Sequence, residues 1–264
     1  PPAGAAGFPW SVPALAGLDH VDLDRPVTFL VGENGSGKST FLEALAVACW
    51  LPTVGAVSLR SDDTREAQSR LARTFRLVWT RRIHRGFFLR AEDFFGFIRG
   101  LRRQREELRR ELERVDRDYA GASDLARTLA AGPHRSSLAD MEARYGEDPD
   151  ARSHGESFLD LFRARIVPGG LHLLDEPEAA LSPQSQLGLI ALLAEAVAQG
   201  AQFVIATHSP ILLATPGAGI LGFDGQPAEF VTYEELESVR LVRDFLEAPE
   251  RFLRHLWPGE VAGT

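Results

Sequence analysis

The sequence predicts an α/β fold: a mostly parallel core sheet flanked by helices, with an inserted helical subdomain. Three observations carry that prediction. The apolar run Val27 to Val31 ends at Gly32 and leads into a helical pattern from Phe41 to Trp50. The runs Leu171 to Leu174 and Gln202 to Ala206 flank a helical stretch, Gln184 to Gln199; strand, helix, strand in this order implies parallel strands. Between these halves, Arg99 to Asp118 has no proline and no glycine after Gly100, and it places Leu101, Leu108, Leu112, Val115 and Tyr119 at helical spacing.

In chain order, residues 8–31 read as β-rich, with 27–31 the clearest strand. The helix 41–50 stops before Pro52. Residues 54–59 and 74–78 read as strands. Residues 93–118 read as helical, and Glu106–Arg110 and Glu113–Arg117 support the helix at i,i+4. That stretch is far too short for a long coiled-coil arm. Residues 121–155 are polar and rich in Gly, Pro, Ser and His, which reads as loops and short helices. Gly200 closes the helix 184–199 as a C′ glycine. The expected organisation is one domain over 1–264, with a core made of 1–92 and 161–264 and an inserted lobe at 93–160.

With 44% hydrophobic and 25% charged residues, the 264-residue chain can bury a real core. No apolar run approaches the roughly 20 residues of a membrane span. Residues 1–7 carry no positive charge and no long apolar stretch, so no signal peptide is expected there. A single cysteine, Cys49, excludes an intramolecular disulfide and a Cys-based zinc site, and a reducing cytoplasm is the expected location. The net charge of −8 is uneven: residues 60–118 hold 17 arginines against 11 acids. Such a segment can face a polyanion or an acidic partner, or be a solvated helical surface with internal ion pairs. Among 29 basic residues the only lysine is Lys38.

That lysine sits in GENGSGKS at 32–39, a match to G-x-x-x-x-G-K-[ST] between a predicted strand and a predicted helix. Glycines let backbone N–H groups turn inward, and with the helix N-terminus they form an anion nest. Gly32, Asn34, Gly35, Ser36, Gly37, Lys38, Ser39 and Thr40 are therefore the candidate ATP-binding residues. Lys38 would reach the β- and γ-phosphates, and Ser39 would ligate Mg²⁺. Arginine's planar fork does not easily replace a compact ammonium inside such a cradle.

The apolar run from Leu171 ends in Asp175 and Glu176, followed by Pro177. Asp175 is the candidate second metal ligand, and Glu176 the candidate group that orients or deprotonates an attacking water. Upstream, Phe8 and Trp10 are the candidates for stacking on adenine.

Together these motifs resemble the ABC ATPase superfamily of P-loop proteins. Asp175-Glu176-Pro177 is followed by Thr207-His208-Ser209-Pro210 and preceded by Ser153-His-Gly155-Glu156-Ser157. The resemblance implies that His208 is a switch histidine near the γ-phosphate. It also implies that Ser153, Gly155 and Glu156 form a signature loop that caps ATP held by a second subunit, although His154 replaces the usual first glycine. Residues 178–183 occupy the D-loop position, with Ser182 in place of the usual aspartate. No glutamine lies between Gln68 and Gln104, so Arg90 or Glu92 would stand in for the Q-loop residue. The EPEAALS run at 176–182 is similar to soluble, non-transporter ATPases related to the RecF, SMC and OLD groups, and the chain also resembles stand-alone bacterial predicted ATPases.

The same resemblance implies a Mg²⁺-dependent, ATP-sandwiched homodimer whose closure moves the helical lobe. Its expected partner is nucleic acid or a protein of a defence or repair complex. The alternatives are an ATPase subunit of a membrane transporter and a non-hydrolysing nucleotide switch.

Overall fold

The computed structural model describes residues 7–54, 62–81, 83, 85–145, 154–225 and 227–257. Seven strands form one sheet: β1 Val27–Val31, β2 Thr53–Val54, β3 Gly86–Arg90, β4 Leu171–Asp175, β5 Gln202–Ala206, β6 Gly219–Gly222 and β7 Glu229–Val231. Their spatial order is β2-β3-β4-β5-β1-β6-β7. Every neighbouring pair is parallel except β6 with β7. The helices are α1 Pro13–Ala16, α2 Lys38–Ala48, α3 Asp62–Ala72, α4 Ala91–Asp118, α5 Asp124–Tyr145, α6 His154–Arg165, α7 Pro183–Ala198, α8 Pro210–Leu213, α9 Glu237–Glu247 and α10 Pro249–Leu256.

The strands are buried on both faces, as the uninterrupted apolar runs require. Their period-2 alternation divides the core into two layers. Phe29, Phe87, Leu89, Phe203 and Ile205 point to one side and pack with Phe158 and Phe162 of α6 and Leu189 and Leu193 of α7. Leu30, Phe88, Leu173 and Val204 point to the other side and pack with Phe41, Leu42 and Leu45 of α2. Each such fully buried side chain contributes roughly 1.5–3 kcal/mol. The predicted strands 27–31 and 202–206 and the helix 184–199 are found within a residue or two.

Three expectations need correction. Residues 8–26 hold no strand. Pro13 starts the short helix α1, and Trp10, Val12, Ala14 and Leu15 are apolar because they pack into the α2 layer. Residues 74–78 are not a strand either. Phe75, Leu77 and Trp79 alternate inward against the same layer, but they join no ladder, and Phe41 meets Phe75 at a ring distance of 5.5 Å. The strand of this region is β3, whose GFFLR run is buried without alternation. Residues 124–145, expected as loops and short helices, form one 22-residue helix with Pro133 inside it. Here tertiary packing overrides propensity: α5 lies along α4, and Ala131 and Met141 on α5 are buried, as is Leu101 on α4. Of the strand expected at 54–59, Val54 is the described residue and belongs to β2; 55–59 lie outside the described residues.

α4 has 28 residues and carries the expected Glu106–Arg110 pair at 3.7 Å. Arg117 instead donates to the Glu113 carbonyl. Arg114 faces Glu111 and Asp118, and Arg109 reaches Glu142 of α5. Exposed pairs like these contribute little each. Among the described residues, no helix is long and apolar enough to cross a membrane.

Candidate functional site

In open parallel sheets the carboxyl ends of the strands are where loops can converge on a ligand. Here β5 lies between β4 and β1, so three loops meet at adjacent strand ends. β1 runs into residues 32–37, and α2 starts at Lys38 with Gly37 as its left-handed N-cap (φ 102°). Gly32 has φ +148°, and a Cβ there would come within 2.8 Å of Ser36 Oγ and 2.9 Å of Asp224 Oδ1. Only glycine fits that position. The Glu33 N–H donates to Asp224 Oδ1 at 2.7 Å, which ties the loop to the segment after β6.

Lys38 is buried and donates to the Gly32 carbonyl at 2.7 Å and the Glu33 carbonyl at 3.0 Å. Burial lowers its pKa, and Glu176, Asp224, Asp175 and Glu178 oppose that shift. Ser36 Oγ is buried and makes no hydrogen bond, so the loop keeps an inward polar atom to offer an anion. Asn34 and Gly35 are exposed at the tip, while Ser39 and Thr40 are half-buried on the first turn of α2.

Ser39 Oγ donates to Asp175 Oδ1 at 3.0 Å. A hydroxyl and a carboxylate side by side are hard oxygen donors, the set that suits Mg²⁺. Burial raises the Asp175 pKa, while the Arg90 charge and the Ser39 hydrogen bond pull it down. Arg90 Nε lies 3.1 Å from Asp175 Oδ2, whereas Glu92 is exposed on the first turn of α4. Of the two residues expected to replace the Q-loop glutamine, Arg90 is the one in contact with Asp175.

Glu176 follows with φ 51° and ψ 50°, a left-handed conformation that costs a non-glycine residue roughly 1 kcal/mol or more. Its N–H is fixed to the Ala206 carbonyl at 2.9 Å. The turn aims the Glu176 carboxylate toward the end of β5, where its Oε1 lies 3.8 Å from His208 Nε2. Both side chains are half-exposed. Glu178 Oε1 accepts the His208 N–H at 2.6 Å.

The signature segment lies elsewhere. Ser153 is outside the described residues. Gly155 is buried at the start of α6, where a Cβ would sit 2.7 Å from Ser185 Oγ at the start of α7. Glu156 is exposed on the first turn of α6. Ser182 caps α7 by accepting from the Ser185 N–H at 3.2 Å. Trp10 is buried in the α2 layer, so it is a core residue and not an exposed stacking platform; Phe8, 47% exposed, is free to stack. Sequence reasoning missed Asp224, Glu43 and the role of Glu178. An acid at position 43, inside an otherwise apolar helix four residues after Ser39, was the readable signal for the second of these.

Residues 15–116 match a family described as an AAA domain. Residues 157–214 match an AAA domain whose description refers to the AbiEii toxin and a type IV toxin–antitoxin system. The chain is 30% identical over 204 residues to the macrolide export ATP-binding/permease protein MacB of Hahella chejuensis, covering 76% of this chain and 29% of that protein. It is 30% identical over 186 residues to the pyoverdine export ATP-binding/permease protein PvdT of Pseudomonas entomophila, covering 68% and 25%. A solved SMC head domain from Thermotoga maritima aligns over 80% of this chain and 92% of its own, with 14% identity and a TM-score of 0.40. The chain thus spans less than a third of the length of the curated relatives it matches.

Proposed function

We propose that this chain, a P-loop ATPase of the AAA/ABC type, binds Mg–ATP at the shared end of β1, β5 and β4 and hydrolyses it in a homodimer. The observation that carries the reading is the 3.0 Å contact between Ser39 and Asp175, with Glu176 and His208 on the same edge. The loop amides of 32–37 and Lys38 would hold the phosphates. Ser39 and Asp175 would hold Mg²⁺, which supplies charge neutralisation for the phosphate oxygens. Glu176 is positioned to polarise an attacking water, and His208 to steady the group beside it. Ser153, Gly155 and Glu156 of a second copy would complete each site, because within one copy the described part of this segment adjoins α7. The 93–160 lobe would move as the dimer closes and opens.

The measurement is ATPase rate per subunit against protein concentration, for wild type and Glu176→Gln, with and without single- and double-stranded DNA. The expected result is a rate that rises steeply with concentration, and a variant that falls about a hundredfold or more while accumulating an ATP-bound dimer. A flat rate with an unaffected variant overturns the assignment of Glu176 and of the signature segment.

The excess of 17 arginines over 11 acids in residues 60–118 supports nucleic acid or an acidic protein of a defence or repair complex as the partner, in a cytoplasmic setting. A second reading, an ATPase subunit docked on a membrane transporter, is favoured by the 30% identity to export ATP-binding/permease proteins. Stimulation by DNA selects the first. Dimer formation indifferent to DNA selects a protein or membrane partner.

A further inference from the structure

The metal-binding edge carries a cation of its own. Arg90 is the last residue of β3 and is in register with Asp175 of β4. Its Nε faces Asp175 Oδ2 at 3.1 Å, while Ser39 holds Oδ1 at 3.0 Å. The Arg90 Nε–H is buried without an aligned hydrogen bond, so the contact with Asp175 is ionic. The other end of the guanidinium contacts the buried carboxylate of Glu43, one turn beyond Ser39 on α2. Arg90 therefore bridges two carboxylates from two different elements.

We propose that Arg90 is a resident competitor for Asp175 that sets the Mg²⁺ concentration at which nucleotide loads. The inference rests on the reading of Ser39 and Asp175 as the metal pair. Without a counter-ion, a buried carboxylate at the end of β4 would be strongly disfavoured. Arg90 supplies that counter-ion between turnovers. When a divalent cation takes Asp175, Arg90 retires onto Glu43, and no buried charge is stranded. A planar fork suits this task because it can address two carboxylates at once.

The test is binding of a fluorescent, non-hydrolysable ATP analogue, titrated with Mg²⁺ at fixed nucleotide concentration. Wild type is expected to need Mg²⁺ for tight binding, and Asp175→Asn to lose that dependence. Wild type without Mg²⁺ dependence, or Asp175→Asn behaving as wild type, overturns the metal-pair reading itself. With that reading in place, Arg90→Gln is expected to reach half-saturation at roughly tenfold lower Mg²⁺, with the same final signal. Arg90→Lys keeps the charge but not the fork that spans two carboxylates, and is expected to fall between wild type and Arg90→Gln. Glu43→Gln removes the refuge and is expected to raise the Mg²⁺ requirement, which keeps the test open if Arg90→Gln folds poorly. Half-saturation unchanged in folded Arg90→Gln, or in Glu43→Gln, overturns the competition.

Discussion

Glu178 holds the backbone of His208: its Oε1 accepts the His208 N–H at 2.6 Å, across thirty residues of sequence. One carboxylate on the turn after β4 thereby sets the direction in which the loop after β5 leaves the sheet. Its second oxygen is buried without a hydrogen bond. Glu178→Ala is expected to lower kcat about tenfold with KM changed less than about twofold, because the phosphate loop is untouched. Glu178→Gln keeps an acceptor and should retain most of the rate. Steady-state kinetics beside a thermal melt check this; a loss of melting temperature with an unchanged kcat would mean the bond is only structural.

Asp224 anchors the phosphate loop from outside the motif, through the Glu33 N–H. Asp224→Ala should weaken nucleotide affinity roughly tenfold, the worth of a charge-assisted hydrogen bond of about 1.5 kcal/mol. Equilibrium binding of a fluorescent nucleotide reads this directly, and unaltered affinity would remove Asp224 from the site.

Gly155 faces Ser185 with no room for a side chain. Gly155→Ala must push the Ser185 hydroxyl off Ser182 or shift the start of α6, at a cost of about 1–3 kcal/mol. Pairing it with Ser185→Gly frees the space and should restore the melting temperature. If the double variant is as unstable as the single one, the contact is not the cause.

His172, fully buried in β4 between Phe87 and Phe203, has its pKa lowered to about 4 by burial. The unfolded chain takes up a proton near pH 6.5 and the folded chain does not, so stability is complete above that pH and falls as pH drops toward 4. The loss amounts to about 3 kcal/mol from this group. Chemical denaturation at pH 7.5 and 4.5, compared with His172→Phe, checks it: the slope with pH should be shallower in the variant.

Cys49 is buried at the end of α2, and burial raises its thiol pKa to about 11. Thiolate is the reactive form. A thiol reagent at pH 8 should label the folded protein slowly and the unfolded protein at once. Fast labelling of folded protein would mean that this corner of the α2 layer opens readily.

The parts of the site that were legible in the sequence are those where one residue type alone satisfies a local demand. Gly32 is dictated by the positive-φ turn after β1, Lys38 stands out as the one lysine in a G-x-x-x-x-G-K-S match, and Asp175 and Glu176 as acids ending an apolar strand. Contacts between distant segments carry no such mark. Asp224 meets Glu33 only because β6 lies beside β1, and Glu43 meets Arg90 only because α2 crosses over β3. The same limit explains where the fold departs from expectation. The alternation of Phe75, Leu77 and Trp79 records one face packed on a helix layer, which extended chain satisfies without a ladder. The helix through Pro133 exists because α4 lies alongside it. Neither neighbour is visible from within the segment.

Arg90 ends β3, and the next residue begins α4, a helix of 28 residues. At 1.5 Å per residue that helix is about 42 Å long. In the lobe motion proposed above it would act as a stiff pointer hinged at the residue that touches Asp175. A tilt of about 5° at its base sweeps the far end through about 4 Å at that length, so a sub-ångström event at the carboxylate is magnified into a displacement that a partner at the tip could sense.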